Sequence, residues 1–277
     1  MDKFLITARK LEPVKYTFYT VATGALLVVL WPWNFAFLPV KFILLDLFSG
    51  AFFSLAMYVF FVALSRGEVS RVVPFVFGLV PIFDVAISLL TGHDTLRINE
   101  LAAVCLLIPG ALLVSHQKGA GWIKHVGLKV LSAMLFSIYY ALWQYGAQSG
   151  PVLNNLIWNR LGAAVILAVL LFVPGFKKKV FAVDEIKNKA NTSFLFLFKQ
   201  VLGGANFIFL SFLFVVGKIP VINALQGFRY AFLLFLSYLL ARHHKHLVDE
   251  KTDRLVVIQK TCGIILIFIG TILLFVI

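Results

Sequence analysis

The chain is expected to fold as an all-α, polytopic membrane helix bundle. Hydrophobic residues make up 61% of its 277 residues and charged residues only 13%. That is about half the charge of an ordinary soluble domain. Nine apolar stretches fill most of the sequence, each close to the roughly 20 residues that a helix needs to cross a bilayer. Lys and Arg also gather in every second connection. Nineteen of them lie at 3–15, 66–71, 118–129, 177–189 and 242–260, whereas the opposite connections hold only Lys41, Arg97 and Lys218. Positive charge stays on the cytoplasmic side during insertion, so the N-terminus is expected inside and the C-terminus outside. Insertion thus accounts for the net charge of +13 without a nucleic-acid partner. The connections are too short for a separate aqueous domain.

Taken in order, the first stretch (16–38) follows a basic tail that lacks the continuous apolar core of a cleavable signal peptide. Stretches 43–65 and 72–91 flank the break Gly67-Glu68-Val69-Ser70, and the second carries Pro74 and Pro81, each of which removes a backbone donor and permits a kink. Stretch 98–115 contains Pro109-Gly110. Stretch 127–147 carries Tyr139, Tyr140, Trp143 and Gln144, and 153–174 opens on Asn154, Asn155, Trp158, Asn159 and Arg160. Stretch 194–217 holds Lys199, Gln200 and Asn206. Stretch 219–240 holds Asn223, Gln226, Arg229 and Tyr230, and 255–277 completes the set. Glycines such as Gly50, Gly78 and Gly203 permit close helix approach. Cys105 and Cys262 lie in apolar runs with no CxxC spacing and are expected to be buried small hydrophobes.

An internal repeat organises these stretches. Gly67-Glu68-Val69-Ser70 corresponds to Gly217-Lys218-Ile219-Pro220, displaced by 150 residues, and Pro109-Gly110-Ala111 corresponds to Ile269-Gly270-Thr271, displaced by 160. Two homologous halves follow, 1–117 and 126–277. Five helices per half is an odd number, so the halves would be inverted in the membrane. The first half shows only four complete stretches. Glu12-Pro13-Val14 corresponds to Gly150-Pro151-Val152, displaced by 138, which sets Met1–Lys10 opposite Tyr139–Gln148. The front of a first helix is therefore expected to be missing, through a late start, a truncation or degeneration; the alternative is a genuine nine-helix protein with a short cytoplasmic tail.

At this point the chain resembles the EamA-type members of the drug/metabolite transporter superfamily. The resemblance rests on Ala63–Ser70 leading into Pro74 and Pro81, on Leu106–Ser115 with Gly110, on Ile264–Leu274 with Gly270, and on Asn159-Arg160. It implies two five-helix repeats, ten helices rather than the nine counted here, and a central cavity reached alternately from each side. It implies a secondary carrier, an exporter or exchanger of small polar metabolites in the cell membrane, rather than an enzyme. The chain departs from the family pattern in its incomplete first helix and in a charge bias that puts the connections on the opposite side. The same fold would also suit a flippase for lipid-linked intermediates, and the missing helix front a non-transporting membrane scaffold.

Charged and polar side chains in the bilayer centre are costly and mark candidate sites. Arg229 is the deepest, and Asn223, Gln226 and Tyr230 share its helix face. These four read either as a substrate-cavity wall or as helix–helix hydrogen bonding. Arg160 could grip a carboxylate or phosphate with its planar fork, or sit among lipid headgroups. Tyr140 and Gln144, with Tyr139 and Trp143, would either add an aromatic wall to the cavity or serve ordinary packing and interfacial anchoring. Lys199 is expected to snorkel to the basic surface. Asp84 reads as the only acid well inside a stretch. It is either the group whose protonation couples transport or a fixed ion-pair partner for Arg160 or Arg229. Three basic groups against one acid favour an anionic or zwitterionic substrate. The expected partners are that small molecule, membrane lipid and a second copy in a homodimer. His243, His244 and His246 read as a solvated loop rather than a metal site, and no cofactor motif is present.

Overall fold

The computed structural model describes residues 2–3, 5–6, 11–30, 32, 38–90, 98–116, 121–147, 150–182, 189–216, 232, 236 and 254–273. All regular structure among them is helical: α1 (Pro13–Ala25) with a 3-10 turn (Leu26–Leu30), α2 (Val40–Arg66), α3 (Val69–Leu90), α4 (Ile98–Ser115), α5 (Gly121–Ala147), α6 (Val152–Leu170), α7 (Pro174–Val180), α8 (Lys189–Val216) and α9 (Arg254–Leu273). Among the described residues five helices are long and apolar enough to cross a membrane: Val40–Arg66, Val69–Ile87, Val126–Gly146, Val152–Leu170 and Leu255–Leu273. The chain is therefore an all-helical membrane protein. The expected stretch 219–240 lies outside the described residues, apart from Phe232 and Leu236.

Two elements differ from the sequence expectation. The first stretch is not one α-helix. Pro13, pre-set for a first helical turn, starts α1, which tightens into the 3-10 turn after Ala25. And where a connection was expected, Pro174 opens α7. Lys177, Lys178 and Lys179 occupy its last turn, where cations meet the negative end of the helix dipole.

The chain forms two compact units, each built from two separated segments: Met1–Ser65 with Ile138–Val215, and Arg66–Ser137 with Val216–Ile277. The two segments of the second unit begin at Arg66 and Val216, 150 residues apart, the same displacement as the sequence repeat.

In the first unit, α2 and α6 meet backbone to backbone. A Cβ at Gly50 would collide with the Asn159 carbonyl and stand 2.6 Å from the Ala163 nitrogen, and one at Gly162 would collide with the Leu47 backbone. Lipid offers helices no hydrophobic drive to associate, so small residues that allow such closeness hold the contact. The Ser54 hydroxyl reinforces it by donating to the Ala163 carbonyl at 3.0 Å. Val21 of α1 packs on Ala163 and Leu167, with Phe18 and Phe53 around them. Lys199 of α8 pairs with Asp2 at 3.1 Å and lies 5.3 Å above the Tyr16 ring. The Tyr16 hydroxyl donates to the same Asp2 carboxylate at 2.5 Å.

In the second unit, α4 and α9 run antiparallel along a glycine seam. A Cβ at Gly110 would stand 3.0 Å from the Gly263 carbonyl oxygen and 3.0 Å from Ile267; one at Gly270 would stand 3.1 Å from the Ala103 carbonyl oxygen and 2.9 Å from Leu107. Adding 160 to positions 103, 107 and 110 yields 263, 267 and 270. The displacement of the sequence repeat therefore exchanges the two sets of contacts. Cys105 and Cys262 are both exposed, contrary to the expectation of burial. In lipid the outer face of a helix is as apolar as the inner one, so hydrophobicity around a cysteine does not say which way it faces.

Candidate functional site

Polar side chains gather where α2, α5 and α6 meet in the first unit. Asp46, Ser49, Asn154, Asn155 and Asn159 are all 0% exposed, and Arg160 is 6% exposed. Local sequence explains the gathering. Asp46, Ser49, Gly50, Phe53 and Ser54 recur at helical spacing on α2, and Asn155, Asn159 and Gly162 do so on α6, so each set forms one face. The close approach at Gly50 and Gly162 brings these faces together. The Asn159 amide donates to Ser49 Oγ at 2.9 Å, and Ser49 Oγ donates to the Tyr139 carbonyl at 3.1 Å. The Asn155 amide donates to the Gly146 carbonyl at 2.6 Å.

Arg160 is enclosed by protein rather than standing among headgroups. Its guanidinium lies 4.4 Å above the Phe53 ring, and its stem runs beside Gly24 of α1, where a Cβ would stand 3.5 Å from Arg160 Cδ. Phe53 meets Tyr139 with ring centroids 5.1 Å apart, and Tyr139 meets Tyr140 at 4.8 Å. A cation therefore rests on an aromatic floor at the end of a chain of rings, a favourable arrangement once desolvated. A planar guanidinium carries five donors in a fixed fork, suited to a carboxylate or phosphate.

Of the residues expected at the site, Arg160 and Tyr140 come into one unit through Phe53 and Tyr139. Gln144, one turn further along α5, is exposed. Asp84 belongs to the second unit, where its carboxylate accepts the Ser137 hydroxyl. Arg229, Gln226, Asn223 and Tyr230 lie outside the described residues, as do His243, His244 and His246. Among the described residues no group of three metal-ligating side chains occurs. Asp46 escaped the sequence reading, which took Asp84 for the only acid well inside a stretch. Asp46 stands nearly two turns into α2. The signal that could have found it was the recurrence of Ser49, Gly50 and Ser54 on its face.

A second polar cluster closes the end of the second unit. Glu68 Oε2 accepts from Arg71 Nε at 2.8 Å and from Lys260 Nζ at 2.5 Å, and Lys260 also donates to Ser70 Oγ at 2.7 Å. Arg71 reaches on to the carbonyls of Val114 and His116, and the Gln259 amide donates to the Leu113 carbonyl at 2.6 Å. Burial alone would raise the Glu68 carboxyl, but the Lys260 ammonium and the Arg71 guanidinium together outweigh it and hold the group below the usual carboxylate range. This cluster ties α3, α4 and α9 together and leaves its acid fully engaged.

Compared with known proteins, the chain matches no family model, and no curated protein matches its sequence.

Proposed function

We propose that this chain is a secondary transporter of a small polar metabolite, anionic or zwitterionic, and an EamA-type member of the drug/metabolite transporter superfamily. It would work by alternating access between two inverted repeats in the cell membrane. The observation that carries the reading is Arg160: a permanently charged side chain, 6% exposed, inside a membrane-spanning helix that also carries the buried Asn154, Asn155 and Asn159. Such a residue is expensive in lipid and is kept where a substrate or pathway uses it. The α4–α9 seam supports the inverted repeats, because its contacts exchange under the same displacement that relates the two halves in sequence. The Lys260–Ser70 contact has its lysine held as a cation by Glu68, so a carrier suits the described polar clusters better than an enzyme.

The test is transport by purified protein in liposomes, against a panel of carboxylates, phosphates and amino acids. Arg160→Lys keeps the charge but loses the fork. It should weaken half-saturation for the transported solute tenfold or more, equivalent to about 1.4 kcal/mol, without lowering thermal stability to match. Unchanged half-saturation removes Arg160 from the site. A wild type that moves no solute of the panel overturns the transporter reading, and movement of a lipid analogue instead turns it toward a flippase.

A further inference from the structure

Asp46 is fully enclosed, and neither of its carboxyl oxygens has a hydrogen-bond partner among the described residues. Its Oδ1 is pressed against Gly146 of α5, so closely that a Cβ there would collide with it. The titratable and charged groups that face this pocket are few. From α5, Tyr139 stands within electrostatic reach of both Asp46 and Arg160. From α6, Arg160 is stacked on Phe53, two turns along α2 from Asp46. On α2 itself, Lys41 is exposed at the helix start. None of the ion pairs among the described residues includes Asp46. The surroundings are rich in acceptors: the side-chain oxygens of Asn155 and Asn159 are also buried with no donor among the described residues. An ionised carboxylate without a partner loses several kcal/mol on leaving water, on the order of the penalty for any buried ion, while a neutral acid loses far less. A proton on Asp46 removes the charge and supplies the donor that this oxygen-rich cluster is short of.

We infer that Asp46 is a proton-binding site in the first unit, holding a proton while enclosed and releasing it to water when the cluster opens. The proton is taken from water by a carboxylate oxygen and returned to water, so no other reactant is needed. Asp46, which has no donor among the described residues, rather than Asp84, which already accepts the Ser137 hydroxyl, then couples solute movement to a proton gradient. Only this coupling step rests on the transporter reading; proton binding does not.

Infrared difference spectroscopy on the full chain in lipid reads the protonation directly. At neutral pH the wild type should show the carbonyl stretch of a protonated carboxylic acid. Asp46→Asn should remove that band, Asp46→Glu should shift it, and raising the pH should bleach it. In parallel, a lipid-soluble carbodiimide, which attacks protonated carboxyls, should label the wild-type Asp46 peptide by mass spectrometry, a readout that needs no variant to fold. A band unchanged in Asp46→Asn, an Asp46 peptide left unlabelled, or stabilisation by sodium in place of the band overturns the proposal. Proton-driven accumulation should fall at least tenfold in Asp46→Asn while solute exchange persists, and accumulation at the wild-type level overturns the coupling. A wild type that keeps the band yet carries no solute leaves the proton site standing and removes the transporter reading.

Discussion

Glu68→Gln places the strongest demand on the second unit. Glu68, Arg71 and Lys260 have side chains only 8%, 4% and 2% exposed, respectively. Removing one partner of a buried ion pair costs about 3–5 kcal/mol, because the surviving charge stays buried. Here one anion serves two cations, so its neutralisation strands both. Two features hold the loss to the lower end, about 3 kcal/mol. Lys260 still donates to Ser70 and Arg71 still donates to backbone carbonyls, and the glutamine oxygen can accept one of the lost bonds. For a chain of this size that corresponds to a fall of about 6–12 °C in apparent Tm, followed by intrinsic tryptophan fluorescence in detergent. In the Glu68→Gln, Lys260→Met double variant, the two effects should fail to add by about 1 kcal/mol or more. The pH dependence has a definite sign. Because the folded state holds the Glu68 carboxyl below its ordinary range, the native chain binds that proton more weakly than the unfolded chain. The stabilisation is complete above the ordinary carboxylate pKa and is lost as pH falls through the lowered folded value. Acidification should therefore lower the wild-type Tm more than that of Glu68→Gln. A Gln variant within about 2 °C of wild type, less than 1 kcal/mol on the same scale, with the same acid sensitivity, would refute the account.

Two further outcomes follow from the packing. Gly50→Ala should destabilise the first unit by about 1–3 kcal/mol, as overpacking does, because the new methyl meets rigid backbone of α6 rather than a side chain that can swing away; a Tm equal to wild type would contradict the close α2–α6 contact. Cys105 and Cys262, both exposed, should react in intact membranes with a lipid-soluble maleimide, and protection of both thiols would contradict their outward placement.

The helices themselves were legible because hydropathy varies strongly between spans and connections, and α2 through α6 fall almost where the apolar stretches lie. What lies between helices was not. The lysines of α7 looked like a loop because a seven-residue helix carries too few apolar positions to show a period. Asp46 was hidden for a related reason: one carboxylate barely alters the average hydropathy of 27 residues, and only its neighbours Ser49 and Gly50 mark the face as special. The Glu68–Lys260 pair spans 192 positions, and no local pattern announces such a partnership. Arg160 was found as a candidate, but its enclosure over Phe53 depends on α1 and α2 passing close by, which only the fold supplies. The cysteines were misplaced because a lipid-facing surface and a protein-facing one demand the same chemistry.

The seam between α4 and α9 carries a lesson about descent. A joint whose contacts trade places when the numbering is displaced by 160 residues is self-complementary: a helix with this pattern of small residues can dock against another copy of itself laid head to tail. On the inverted-repeat proposal, an ancestor half the length of this chain, inserted in both orientations, would already have possessed the joint before any fusion tied the copies together. The glycines at 110 and 270 would then be two descendants of a single requirement, and relaxing it in either place should loosen the same clasp.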